Sequence, residues 1–323
     1  MKKIHQQLLY VKPYDRFIEW TKSATLPGFG KLPLYTVMVF FFQEIARESI
    51  LNKASSLAYN FMLAVFPGII FLFTLIPYIP VDNFQEQLME LIQLALPNNA
   101  YEILEATLED IIKRQNGGLL SAGFVLCTFF ATNGMTTLMM SFNKASLSKE
   151  SRTWFQRRIV ALALSLAIVL ALAVGIALYA GSNYLINYLK THIDYDLKWF
   201  WAFLIKVAQW SILFSIYFFT VSLIYKFGPS STKKWKLFTP GATLATLLAM
   251  LSFSFFTFYI NNFGAYNKLY GSIGTLIVVM IWMYINALIL IIGFELNASI
   301  ALSKQSIKIV KPRIYNSFKP NKI

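Results

Sequence analysis

Six apolar stretches, each about 20 residues or longer, recur along the chain at roughly 56–80, 119–142, 159–182, 199–225, 238–260 and 272–301. About 20 apolar residues in a helix cross the ~30 Å hydrocarbon core of a bilayer. In that medium every backbone amide must be satisfied within its own segment, so each stretch is expected to be helical. The fold class this implies is all-α: a polytopic membrane bundle of six transmembrane helices with amphipathic interfacial helices beside it. Only 14% of residues are charged, against ~25% in soluble domains.

The basic residues orient the bundle. Lys and Arg number eight in residues 1–53, five in 143–158, four in 226–237 and six in the tail 302–323. The alternate connections 81–117, 183–198 and 261–271 carry two, two and one, and Lys206 lies within a span. Translocating cationic loops is costly, so the basic side faces the cytoplasm. Both termini are expected there, with the protein multi-pass in a bacterial plasma (inner) membrane. The +14 formal charge is thus read as loops held on an anionic leaflet, and nucleic acid is not an expected partner. No cleavable leader is apparent, because the first 30 residues mix charges and prolines without an apolar core.

The expected organisation is a cytoplasmic segment 1–53, a six-helix membrane domain 54–301 with an outer insertion at 81–117, and a basic, flexible tail 302–323. Residues 35–53 read as an amphipathic helix, apolar at Val39, Phe42, Ile45 and Ala46, lying along the inner surface. In the insertion, Phe84, Leu88, Leu91 and Ile92 fit one helical face, and Leu104, Leu108, Ile111 and Ile112 fit another. Seven of the fifteen acidic residues fall between Asp82 and Asp110. Two stripes of small residues, Ala163, Ala167, Ala171, Gly175 and Gly241, Ala245, Ala249, are expected to mark buried helix contacts.

An ionisable side chain inside a membrane is costly, and so a candidate for function. Two stand out. Glu295 falls about 31 Å along the last helix from Gly274, at ~1.5 Å per residue, close to the cytoplasmic edge and within reach of Arg47, Lys53, Lys144, Arg157 or Arg158. Lys206 falls about seven residues, ~10 Å, into the fourth span from the outer side. Lys206 either snorkels outward or anchors an anionic headgroup. At those depths the two cannot pair. Asn133 and Asn286, with Thr132, Thr136 and Thr137, are polar near mid-depth, either hydrogen-bonding between helices or lining a polar path. Tyr266 and Tyr270 to Gly274 read as an outer turn that Gly271 and Gly274 make tight.

No cofactor is expected, since no phosphate-cradling glycine loop occurs. His5 and His192, the only histidines, are expected on opposite faces, so no metal site is assigned and the chain is not expected to be an enzyme. Cys127, the single cysteine, reads as a small apolar residue.

The C-terminal third reads Pro229, Thr239-Pro240-Gly241, Tyr259, Tyr266, Tyr270-Gly271-Ser272-Ile273-Gly274, Trp282-Met283-Tyr284 and Gly293-Phe294-Glu295-Leu296-Asn297-Ala298. Leu57-Ala58-Tyr59, Phe66-Pro67 and Asn143 extend the pattern. This set resembles the BrkB/YihY family of bacterial inner-membrane proteins over most of residues 45–300. The resemblance implies a six-span helical fold and roles in the cell envelope and in moving lipids or other amphiphiles. It places Tyr59, Pro67 and Asn297 among the candidate path or gate residues. Asn60 and Phe61 depart from it, standing where an aromatic and a small residue are expected; Asn60 joins the candidates. An older ribonuclease label in the family is not supported by this chain's residues. The expected activity is translocation of lipids or amphiphiles. The alternative is a scaffold recruiting envelope proteins through 82–112. Membrane lipids are the expected partners, and oligomeric state is left open.

Overall fold

The computed structural model of the chain describes residues 12–25, 28–29, 32–47, 49–80, 83–95, 105, 108–192, 198–230, 236–262 and 265–317. The described residues hold helices and turns and no strand. Two short helices, α1 (Lys12–Ser23) and α2 (Leu34–Arg47), precede the first long one. The six long helices are α3 (Ile50–Leu75), α5 (Gly117–Ala145), α6 (Trp154–His192), α7 (Lys198–Phe227), α8 (Pro240–Asn262) and α9 (Ala265–Ser317). Each contains a segment long and apolar enough to cross a membrane. Between α3 and α5 lies α4 (Phe84–Ala95), with residues 108–113 also helical.

Consecutive long helices pack side by side, and α9 closes the ring by packing on α3 as well as α8. Chain neighbours become spatial neighbours, as consecutive elements usually do. The closest approaches are made where a side chain is missing. A Cβ on Gly123 would stand 3.0 Å from the Phe71 backbone nitrogen, and one on Gly134 would stand 2.8 Å from two carbons of the Phe61 ring. Gly134 therefore supplies the room for Phe61, the larger residue at which the chain departs from the family pattern.

Packing is uneven along the bundle axis. In α3 the buried residues are Ile50, Ala54, Leu57, Ala58 and Met62, followed only by Thr74. In α5 only Gly123 is buried before Thr132, whereas most residues from Thr132 to Ala145 are. No described residue of α8 beyond Ala249 is buried, and in α9 burial is continuous from Gly293 to Ile300. The core thus sits at one end, the end holding Lys53, Lys144 and Arg152. Its centre is aromatic: Phe142 stacks on Phe294 with centroids 4.1 Å apart, and Tyr225 meets both edge-on at 5.5 Å. Tyr225 donates its hydroxyl proton to the Leu290 carbonyl at 2.8 Å, which satisfies the one polar atom a buried tyrosine brings.

Several expectations are corrected. Gly271 and Gly274 lie inside α9, which starts at Ala265, so the 270–274 segment is helix and not a turn. The connection there is shorter than read, because α8 runs to Asn262. The last helix runs past 301 into the segment read as tail, since α9 continues to Ser317. The stripe at Ala163 is covered only in part, with Ala167, Ala171 and Gly175 half-buried. Ala163 is exposed while Ala161 and Leu164 are buried, since small size permits close approach without requiring a partner. Gly241, Ala245 and Ala249 are buried as expected. In α2 the buried positions are Val37 and Phe41, packed with Phe29 and Leu32 on Leu296 and Ile300 of α9. Phe42, expected on the apolar face, is exposed. Side chains of Ala46, Tyr266, Tyr270 and Gly271, and the backbone at 96–104, lie outside the described set.

In the insertion, Met89 of α4 and Ile112 are buried together, with Leu88, Ile92 and Leu108 against them. Glu109 and Lys113 pair at 2.7 Å on the exposed face, and the Lys113 ammonium holds the Glu109 carboxyl below its usual range.

Candidate functional site

At the packed end, backbone termini of several helices are tied by side chains. α5 ends with Leu147 at φ 51°, where the Ser148 amide donates to the Asn143 carbonyl at 2.8 Å and the Leu147 amide to Lys144 at 3.2 Å. These are the two bonds of a Schellman ending, usually built on glycine. The Asn143 side chain donates to Glu150 at 2.7 Å and accepts from the Ser230 amide at 2.6 Å. Arg152 donates to the carbonyls of Phe227, Gly228 and Pro229, each at 2.8–2.9 Å, a cation placed on the negative end of the α7 dipole.

Glu295 is 1% exposed and lies 3.8 Å from the Lys53 ammonium of α3, itself 12% exposed. Lys53 is among the five basic residues considered from sequence, and the fold brings it into an ion pair with Glu295. Asn297, also buried, accepts from the Gly241 amide at 2.8 Å and donates to the Thr239 hydroxyl at 2.9 Å. It thereby caps α8 from another helix. We expect Asn297→Ala to lower stability by about 1–2 kcal/mol through the lost cap, read as an earlier thermal transition of the detergent-solubilised chain.

The neutral mid-depth residues turn inward on their own helices. Asn60 donates to the Ser56 carbonyl and Asn286 to the Trp282 carbonyl, both at 2.8 Å. Thr136 and Thr137 bond back to Thr132 and Asn133. Interhelical hydrogen bonding, expected for this group, is therefore not what Asn286, Thr136 and Thr137 do. A Ser, Thr or Asn in a helix has its i−4 carbonyl always within reach. Asn133 is half-buried, and Pro67 lies within α3. Tyr59 is 59% exposed. Gly274 is buried.

Lys206 lies in the other, loosely packed half. It is exposed and lines a cavity of about 630 Å³ with Phe203, Val207, Trp210, Phe214 and, from α8, Met250. Ser211 and Ser215 also line it, each donating to its own helix at 2.8 Å. The groove is an apolar slot with one cation in its wall, set in the part of the chain that faces lipid. Lys206 and Glu295 are far apart along the bundle and do not meet.

The family is decided by the extent of the sequence match. The profile described as "Virulence factor BrkB" matches residues 41–313, which takes in all six apolar spans. The chain belongs to the BrkB family. Among BrkB relatives, the putative ribonuclease-like protein YfkH of Bacillus subtilis (strain 168) is 29% identical over 250 residues, covering 76% of this chain and 88% of its own length. The UPF0761 membrane protein of Tolumonas auensis is 22% identical over 264 residues, covering 81% and 84%. The UPF0761 membrane protein NTHI0384 of Haemophilus influenzae (strain 86-028NP) is 24% identical over 268 residues, covering 81% and 94%. No solved structure matches. BrkB membership, with six apolar helices, makes this a membrane protein. Among the described residues no three His, Cys, Asp or Glu side chains gather to hold a metal.

Sequence reasoning missed what Asn143, Arg152 and Arg158 do. Asn143 was noted for the family pattern, Arg152 as a loop charge and Arg158 as a possible partner of Glu295. Arg158 reaches from α6 to the Thr132 hydroxyl of α5 at 3.1 Å, which no local pattern announces.

Proposed function

We propose that this BrkB protein translocates lipids or other amphiphiles, without an energy source of its own and without catalysing a chemical reaction. One observation carries the reading. Buried residues gather at one end of the bundle, and the more exposed half holds the Lys206 groove. An amphiphile needs an apolar slot open to the bilayer for its chains and a charged or polar group for its head. The groove has both: a Trp210, Phe214 and Met250 wall and the Lys206 ammonium. The lipids served are those of the bacterial inner membrane, with both termini cytoplasmic, so the packed end faces inward and the groove outward.

The test is reconstitution into liposomes containing fluorescent lipid analogues of several headgroups. Proteoliposomes are expected to lose signal to an external quencher faster than protein-free liposomes. Lys206→Gln is expected to slow the loss for anionic analogues by several-fold, the scale of one exposed charge contact. Flip no faster than in empty liposomes for every headgroup would overturn translocation. A second reading, a scaffold for envelope proteins, draws on the exposed acidic face at Glu86, Glu90, Glu109 and Asp110. A stable partner crosslinked from that face, with no lipid movement, would favour it.

A further inference from the structure

Arg158 stands in the second turn of α6, at the basic end of the bundle. A cation there would ordinarily snorkel to water. Its guanidinium instead turns into the bundle wall, where Nη1 donates to the Thr132 hydroxyl at 3.1 Å. Thr132 lies about 13 residues before the end of α5 at Ala145, ~20 Å along that helix, in a chain whose spans cross a ~30 Å hydrocarbon layer. Thr132 belongs to the apolar stretch 119–142 and Arg158 directly precedes the one at 159–182, so the guanidinium sits at the border of the apolar zone.

Its surroundings do not neutralise that charge. The Thr132 hydroxyl donates its own proton to the Phe129 carbonyl at 3.0 Å, so it can only accept from Arg158. The other neighbours are ring faces: Phe129 with its centroid at 5.5 Å and Trp154 at 5.6 Å. Among the described residues no carboxylate pairs with Arg158. A guanidinium has five N–H donors, and Thr132 takes one. Beside it, Arg157 has its Nε buried with no hydrogen-bond partner among the described residues. Both walls open to lipid, since Phe129 is 51% and Trp154 64% exposed.

We propose that Arg158, walled by Phe129 and Trp154 and aimed by Thr132, binds the phosphate of an anionic phospholipid. An arginine matches phosphate geometry through paired N–H donors. A cation at the border of the hydrocarbon, with no carboxylate pairing to it among the described residues, calls for a counter-charge, and the anion that the bilayer itself brings to that level is a lipid headgroup. One net negative charge balances one guanidinium. No acid beside Arg158 waits for the ammonium of a zwitterionic lipid. The acyl chains have a surface to follow in the exposed Phe124, Val125, Ile159, Leu162 and Leu166 of the same two helices. The site lies between α5 and α6, apart from the Lys206 groove between α7 and α8, and it holds whether or not the protein moves lipid.

The test is native mass spectrometry of the full chain in detergent, titrated with phosphatidylglycerol, with phosphatidylcholine and with phosphatidylglycerol plus inorganic phosphate. Phosphatidylglycerol is expected to remain bound to the wild-type chain and phosphatidylcholine to be lost. Arg158→Gln is expected to weaken phosphatidylglycerol binding by about tenfold, the loss of one charge-assisted pair. Arg158→Lys should fall between, because the charge stays and the planar fork is gone. Thr132→Val should lower thermal stability while keeping most of the binding, and Arg158→Gln should weaken binding to the same extent in a Lys206→Gln background. Unaltered binding in Arg158→Gln, equal retention of phosphatidylcholine, or displacement by millimolar inorganic phosphate would each overturn the proposal. So would a Thr132→Val chain that loses lipid as fully as Arg158→Gln, since Arg158 would then be an interhelical tether. Should Arg158→Gln fail to fold, Arg158→Lys and Thr132→Val decide between the same outcomes.

Discussion

Valine at position 293 is expected to abolish the folded protein. Gly293 of α9 faces Gly241 of α8 backbone to backbone. A Cβ on Gly293 would overlap the Tyr225 hydroxyl and stand 2.7 Å from both the Ala245 methyl and the Gly241 carbonyl oxygen. None of these can yield cheaply. The Tyr225 hydroxyl is committed to the Leu290 carbonyl, Ala245 is fully buried, and the Gly241 carbonyl belongs to the first turn of α8, whose amide Asn297 holds. Overpacking in a well-filled core costs typically about 1–3 kcal/mol and more where backbone must move. Backbone must move here. Tight crossings of this kind are what join helices in lipid, where no hydrophobic drive exists between them. We expect Gly293→Val to yield little monodisperse protein after detergent extraction, and Gly293→Ala to yield a chain melting well below wild type. A Gly293→Val chain eluting and melting like wild type would show that α8 and α9 do not cross as described.

Glu295→Ala is expected to destabilise by about 3–5 kcal/mol, the cost of leaving one member of a buried pair without its counter-charge. Lys53 is nearly buried and 3.8 Å from the Glu295 carboxylate. With the carboxylate gone, its ammonium stays at the α3–α9 contact. Glu295→Gln keeps the shape and should be milder only in packing, since the charge is still lost. The informative variant is the double substitution Lys53→Met with Glu295→Met. Replacing a buried ion pair by apolar residues of similar volume is often neutral or favourable, so the double variant should recover most of the lost melting temperature. A thermal shift series in one detergent reads all three. A Glu295→Ala chain as stable as wild type would mean that water reaches the pair and screens it.

Fold class was legible because apolar length is a one-dimensional property. Twenty or more uncharged residues in a row have few options in lipid, and Leu119 to Phe142 needed no partner to be read as a span. Helix ends were read less well. The glycines at 271 and 274 suggested a turn, yet they lie inside α9, since glycine permits a turn without forcing one. The face of α2 was displaced, with Val37 and Phe41 buried in place of Phe42, because one helical stripe is hard to fix when Val39, Phe40, Phe41 and Phe42 are all apolar. Glu295 was found as a candidate from its charge alone, and its partner narrowed to five. The contact Arg158 makes was missed, because its position at a helix start gave it the look of a loop charge.

What residue order alone determined is the solvent this chain folds in and how often it crosses it. Both follow from transfer free energies that add along a segment. Only the tertiary structure decided which polar groups meet: Lys53 with Glu295, Asn297 with the start of α8, Arg158 with Thr132. It also decided that the buried core gathers at one end of the bundle. Those outcomes depend on side chains from segments distant in the chain approaching within a few ångströms, and contact at that range is a property of packing, not of sequence spacing.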